Sequence, residues 1–178
     1  VLPVDDDPIW FGRSQDANGA RRTAWIAPER IESYADHYVQ STERHPMQVL
    51  AEIIEHRGWA KRRFGVEMDN YYFSAKAFAT LQEELPNAVF IDATALVNWQ
   101  RAVKSPQELT YMAQAARIVE HMHARIFEKI EPGLRKNALV AEILHAGALG
   151  TEEIGGDYPA IVPLLPTGKD ASAAHLTW

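Results

Sequence analysis

An α/β domain with a mixed sheet and flanking helices, followed by the opening of a second, α+β domain, is the fold class this sequence predicts. Three observations lead there. Strand-type and helix-type hydrophobic patterns alternate up to about residue 100. At Ser105 the pattern changes to two long helical stripes. The 178 residues, 47% of them hydrophobic, suffice to bury the core of one large domain or of parts of two.

The elements follow in order. "VLPV" and "PIWF" flank the turn-rich "DDD" of Asp5 to Asp7 and predict a hairpin. "RIESYAD" reads as a short strand. "HPMQVLAEIIEHRGW" carries Met47, Leu50, Ile53 and Ile54 at helical spacing and is stopped by Gly58. "RRFGVEMD" is a strand, "SAKAFATLQEELPN" a helix capped by Ser74 and ended by Pro86-Asn87, and "AVFIDAT" another strand. This β-α-β-α-β order predicts largely parallel strand pairing with helices packed on it. The boundary is expected near Trp99–Ser105, giving domains 1–100 and 101–178. Beyond it, Ser105, Pro106 and Glu108 make a cap, a proline in the first helical turn and a reach-back carboxylate. Leu109, Met112, Ala116, Val119, Met122, Ile126 and Ile130 then form one stripe, and Pro132-Gly133 ends the helix. "NALVAEILHAGALG" supplies a second helix, with Asn137 as the expected cap. "DYPAIVPLL" reads as strand-rich and "PTGKD" as a turn.

Bulk chemistry removes several function classes. A net charge of −6, with no block of Lys and Arg, argues against a nucleic-acid or anionic-membrane surface. Cysteine is absent, which excludes disulfides, thiolate metal sites and cysteine nucleophiles and fits a reducing cytoplasm. No apolar run approaches the roughly 20 residues a membrane helix needs. The chain is expected to be a piece of a longer protein, because it opens on Val1 inside a hairpin pattern and stops on the bulky Trp178.

Candidate site residues are few. "TGKDAS" is not a phosphate loop: Pro163 stands where the earlier glycine belongs, and Asp170 where a hydroxyl would meet magnesium. His121 and His123 are two apart on a helix, point in different directions and read as surface or packing residues. Asp5 to Asp7 read as a solvated turn. In "DANGARR", Arg21 and Arg22 read either as binders of a carboxylate ligand or a neighbouring subunit, or as a solvated loop start. In "GGDYPAI", two glycines let the backbone approach a ligand closely before Asp157 and Tyr158; Asp157 equally suits a turn. His175 by itself reads as a structural histidine.

The segment "RAVKSPQE" adds a family resemblance. Arg101, Lys104, Ser105 and Glu108 resemble the R-x-x-K-S/T-x-x-E opening of the catalytic domain of pita-bread enzymes, the creatinase, aminopeptidase P and prolidase superfamily. "FGVEMD" and "LPNAVFIDAT" resemble the end of the creatinase-type N-terminal domain, and "IEPGLRKNALVAEI" its second catalytic-domain helix. Within the superfamily, "WFGRSQDANGARRT", "DHYVQSTERHPM", "GVEMDNYYFSA", "DATALVNWQRAVKSPQE" and "GGDYPAIVPLLPTGKDASAAHLTW" are similar to the ectoine-hydrolase branch of bacteria. That likeness runs over essentially the whole chain.

The resemblance implies the later part of an N-terminal domain over 1–100 and the first part of a pita-bread domain over 101–178. It implies a cytoplasmic homodimer that hydrolyses a cyclic amidine carboxylate, ectoine, to N-acetyl-diaminobutyrate. It gives His175 a place on the strand entering the active site, as a proton shuttle. Asp157 and Tyr158 become candidates for the pocket wall, and Arg21 and Arg22 for a subunit interface near it. No catalytic metal or other cofactor is expected, and the remaining catalytic carboxylates are expected beyond Trp178, so that the 178 residues alone would be inactive. "HLTW" departs from the H-N-P or H-x-x-P of creatinase and many peptidases. The rival readings are a metal-dependent Xaa-Pro dipeptidase or aminopeptidase of the same superfamily and a non-catalytic pita-bread binding protein.

Overall fold

The computed structural model describes residues 1–178, which divide into two compact units, Val1–Gln100 and Arg101–Trp178. In the first unit, β1 (Trp10–Arg13) is followed by helix α1 (Ala17–Thr23) and β2 (Ile31–Tyr34). Helix α2 (Pro46–His56), β3 (Arg63–Val66), α3 (Ala75–Glu84) and β4 (Val89–Asp92) complete a second β-α-β passage, and α4 (Leu96–Ala102) carries the chain across the division. Strand β1 pairs in parallel with β2, Trp10 opposite Ile31, and β3 in parallel with β4, Arg63 opposite Val89. Parallel neighbours require a crossover rather than a tight turn, and α1 and α3 supply it. The two pairs remain separate two-stranded sheets.

The N-terminal segment corrects the hairpin expectation. The chain does double back, since Val1 and Ile9 exchange two backbone hydrogen bonds of 2.8 and 2.9 Å. No ladder extends from them, because the acidic turn is drawn to arginines of other segments. Asp5 meets Arg62 at 2.6 Å, and Asp6 meets Arg30 at 2.5 Å. That hydrogen bond from Arg30, with the Asp7 amide, holds the Asp6 carboxyl down at about 2. Asp5 to Asp7 are therefore a stitched turn rather than a freely solvated one.

The main core joins Ile9, Ala51, Ile54, Trp59, Leu81 and Leu85, where α2 lies against α3 beside β3 and β4. A smaller cluster of Ala17, Ala20 and Ile31 seats α1 on β1 and β2. That helix replaces the expected loop start at "DANGARR", and it exists because two alanines on one face let it approach the strands closely. Ser74 caps α3 as expected, its hydroxyl accepting from the Ala77 amide at 3.1 Å.

Helix α2 is capped by a histidine. His45 Nδ1 accepts from the Met47 amide at 3.1 Å, and the His45 amide donates to Gln48 Oε1 at 3.0 Å, a reciprocal capping box. Gln48 Nε2 donates in turn to Glu84 Oε1 at 3.1 Å, tying the cap to the end of α3. Burial, and secondarily the Lys76 ammonium, lower the pKa of His45. Protonation would occupy the accepting nitrogen and set a cation at the positive end of a helix. Because the folded value lies below the unfolded one, this contribution is complete above about pH 6.5 and is lost as the pH falls through the folded value. The urea midpoint is therefore expected to be lower at about pH 5 than at about pH 8, and His45→Asn, a cap that does not titrate, should remove part of that difference. An undiminished difference in the variant would count against the histidine cap.

In the second unit, α5 (Pro106–Lys129) and α6 (Lys136–Leu149) form a helical pair. The capping box of α5 is as expected: Ser105 Oγ accepts from the Glu108 amide at 3.2 Å, and Glu108 Oε2 accepts from the Ser105 amide at 2.7 Å. Leu139, Val140 and Ile143 of α6 are buried. Gly147 faces Met122, where a Cβ would crowd the sulfur at 3.1 Å. Arg125 bridges Glu128 and Glu142 at 2.9 and 2.7 Å. The stripe on α5 is covered only in part: Met122 and Ile126 are half-buried, while Leu109, Met112, Val119 and Ile130 are exposed.

Two expectations fail in this unit. Helix α6 starts at Lys136 after Arg135, with no side-chain cap, so Asn137 lies inside its first turn. "DYPAIVPLL" forms no strand. Pro159 and Pro163 within it each remove a ladder donor, and the chain bends at Ala160 and Ile161, so no ladder forms. The "PTGKD" turn is a short 3-10 helix over Gly168–Ser172. No helix of the chain is long and apolar enough to cross a membrane.

Candidate functional site

The end of α6 sets the first feature. Gly150 follows the helix at φ +76°, a left-handed conformation that suits glycine. Thr151 then closes a tight loop: its amide donates to the Ile154 carbonyl at 2.8 Å, and its hydroxyl accepts from the Glu153 and Ile154 amides at 3.3 and 3.1 Å. Gly156 returns against the Gly147 and Ala148 carbonyls so closely that a Cβ there would collide with backbone. Asp157 and Tyr158 emerge directly from this closure. Both are exposed, Tyr158 by 83%, and Asp157 Oδ1 accepts from the Tyr158 amide at 2.7 Å.

His175 lies in the terminal segment after the 3-10 turn. That turn is closed by an Ala173 amide bond to the Asp170 carbonyl at 2.9 Å. Asp170 also reaches Lys136, the first residue of α6, at 4.0 Å, a surface contact worth little. The imidazole is exposed, and no hydrogen bond holds it. It is not sealed in aliphatic packing among these residues. Asp157 and Tyr158 are thus brought together, whereas no direct bond joins His175 to them.

Arg21 and Arg22 occupy the exposed face of α1 in the first unit. Arg21 Nη1 donates to Asn18 Oδ1 at 3.3 Å, and Arg22 has no carboxylate partner. They are helical surface cations, not members of a flexible loop. The first unit also holds a cavity of about 790 Å³, lined mainly by apolar side chains such as Leu50, Trp59, Phe64, Phe73 and Phe90. None of the five candidate residues lines it, and Glu67 is its one carboxylate, so it offers volume rather than a pair of groups for acid–base chemistry.

No group of three or more His, Asp or Glu side chains is arranged to hold a metal ion. These 178 residues do not by themselves make a metal centre. What sequence reasoning missed is the closure around Thr151. The signal was present in "GTEEIGG", where a hydroxyl follows a helix-ending glycine and two glycines close the run.

Similarity to known proteins follows the same outline. Residues 1–103 match the Creatinase/Prolidase N-terminal domain family. The ectoine hydrolase of Halomonas elongata is 56% identical over 184 aligned residues, covering 100% of this chain and 46% of that protein. An uncharacterised hydrolase/peptidase of Sinorhizobium fredii is 41% identical over 96% of this chain and 43% of its own length. The chain thus spans a little under half the length of these relatives. Among solved structures, an X-Pro aminopeptidase from Thermotoga maritima matches with a TM-score of 0.57 at 18% identity, over 79% of this chain and 37% of that one. That likeness speaks to the fold alone.

Proposed function

The chain belongs to the creatinase/prolidase N-terminal domain family, and on that premise we propose that the whole protein is a hydrolase that opens the cyclic amidine ring of ectoine to N-acetyl-diaminobutyrate, in ectoine catabolism. The observation that carries this reading is 56% identity to an ectoine hydrolase over an alignment that covers the whole of this chain.

In this reading water adds to the amidine carbon, whose positive charge is shared by two nitrogens. His175 takes the water's proton as the C–O bond forms. The carbon becomes tetrahedral, the imidazolium returns the proton to one ring nitrogen, that C–N bond breaks as the carbonyl forms, and the hydroxyl proton passes to the released amine to leave an ammonium. Imidazole suits this shuttle because it changes charge near neutral pH. Asp157 and Tyr158 form part of the pocket wall, where the carboxylate attracts the amidinium N–H groups. Arg21 and Arg22 serve a substrate carboxylate or the interface of a homodimer. The reading places the protein in the cytoplasm and the remaining catalytic groups outside these residues.

The mechanism uses no metal, in keeping with the resemblance to creatinase; the superfamily's metal-ligand positions are expected beyond Trp178. The test is calorimetry of the whole protein with ectoine, with and without chelator, beside an Xaa-Pro dipeptide. Heat of ring opening unaffected by chelator is expected. Turnover of the dipeptide alone, abolished by chelator, would favour the metal-dependent peptidase reading instead.

A further inference from the structure

Two glycines and a hydroxyl in the second unit fix the position of a carboxylate that packs against nothing. Gly150 must be left-handed, and a Cβ there would run into the Ile154 carbonyl and the Gly156 amide. Gly156 leaves no room for a side chain between itself and the end of α6. Thr151 Oγ1 gathers two amides, those of Glu153 and Ile154, and its own amide completes the ring to the Ile154 carbonyl. The loop therefore has one closed shape, anchored on a helix whose Leu139, Val140 and Ile143 are buried.

Asp157 is the first residue released from that closure. Its Oδ1 is turned back to the Tyr158 amide, which fixes the carboxylate and leaves Oδ2 without a partner. Pro159 follows, fixing its own φ and biasing Tyr158 toward an extended backbone. A turn that served only to leave the helix would need the glycine at 150 and no more. The additional closure decides where the Asp157 carboxylate, with its Oδ2 unpaired, stands.

We propose that Thr151 and Gly156 are positioning residues that hold Asp157 against the amidinium of the substrate, an inference that rests on the function proposed above. They touch no substrate themselves. Their effect passes through the carboxylate, so it belongs to binding and spares the proton transfer at His175.

Steady-state kinetics of the whole protein on ectoine test this with Asp157→Asn, Thr151→Val, Thr151→Ser and the Asp157→Asn/Thr151→Val pair. Asp157→Asn keeps an acceptor for the Tyr158 amide and loses the charge, so KM should rise about 10-fold or more with kcat little changed. Thr151→Val should raise KM several-fold in the same sense, and Thr151→Ser, which keeps the hydroxyl, should restore it. The double variant should match Asp157→Asn alone, since a residue acting through Asp157 has nothing left to position. A Thr151→Val protein with a lower melting temperature but unchanged KM would reduce Thr151 to a structural role and overturn the inference while leaving Asp157 in place. An additive double variant would overturn it likewise. Unchanged KM in Asp157→Asn would remove the binding role itself, and the inference with it.

Discussion

Replacing His175 by alanine should lower kcat of the whole protein on ectoine by about 10²–10⁴-fold, the range that a lost general acid–base group commonly costs. Two features of the structure make the effect readable. Among these residues the imidazole is exposed and makes no hydrogen bond, so its removal leaves no cavity and no orphaned partner in this part of the protein. Thermal stability of the whole protein, measured beside turnover, separates lost chemistry from unfolding. A fall in turnover without a fall in stability is then chemistry and not unfolding. KM should move little, because the proposed shuttle acts on water and on the departing nitrogen rather than on the ground-state amidine. Full turnover by the variant would take His175 out of the mechanism.

The second large effect concerns folding. Leu85 is 1% exposed and stands just past α3, where its amide donates to the Leu81 carbonyl at 2.9 Å. Its side chain belongs to the cluster formed by Ile9, Ile54, Trp59 and Leu81. Leu85→Ala should destabilise the first unit by about 2–5 kcal/mol, the lost transfer energy plus the cavity that relaxation fails to fill. Against a typical total of about 5–15 kcal/mol, that would shift the urea midpoint far enough to measure easily. A change below about 1 kcal/mol would mean that α2 and α3 collapse onto the vacated space.

Elements with their own local chemistry were legible in the sequence. The Ser105–Pro106–Glu108 cap, the Ser74 cap and the Gly58 stop all act through neighbouring residues, and each appears in the fold where the residues place it. The β-α-β order likewise leads to two parallel strand pairs. Tertiary contacts decided the rest. Helix α1 holds Asn18 and Gly19, poor helix formers, and is kept by the burial of Ala17 and Ala20 on the strands, which no short window reveals. The N-terminal hairpin gave way to pairs from Asp5 and Asp6 to arginines far along the chain. "DYPAIVPLL" has the apolar content of a strand but carries prolines that deny it a ladder.

The candidate site divides in the same way. Asp157 and Tyr158 stood out because glycines precede them, but the loop that holds them depends on Gly156 meeting the backbone of α6. His175 drew attention only through family resemblance, since its spacing to other polar residues carries no signal. Arg21 and Arg22 are exposed cations on a helix, and their chemistry depends on what meets that face.

The most direct measurement runs the whole protein on ectoine in ¹⁸O-labelled water and weighs the product. Hydrolytic opening at the amidine carbon predicts N-acetyl-diaminobutyrate carrying one heavy oxygen in its acetyl carbonyl. Ectoine recovered intact, under conditions where an Xaa-Pro dipeptide is cleaved, would contradict the account.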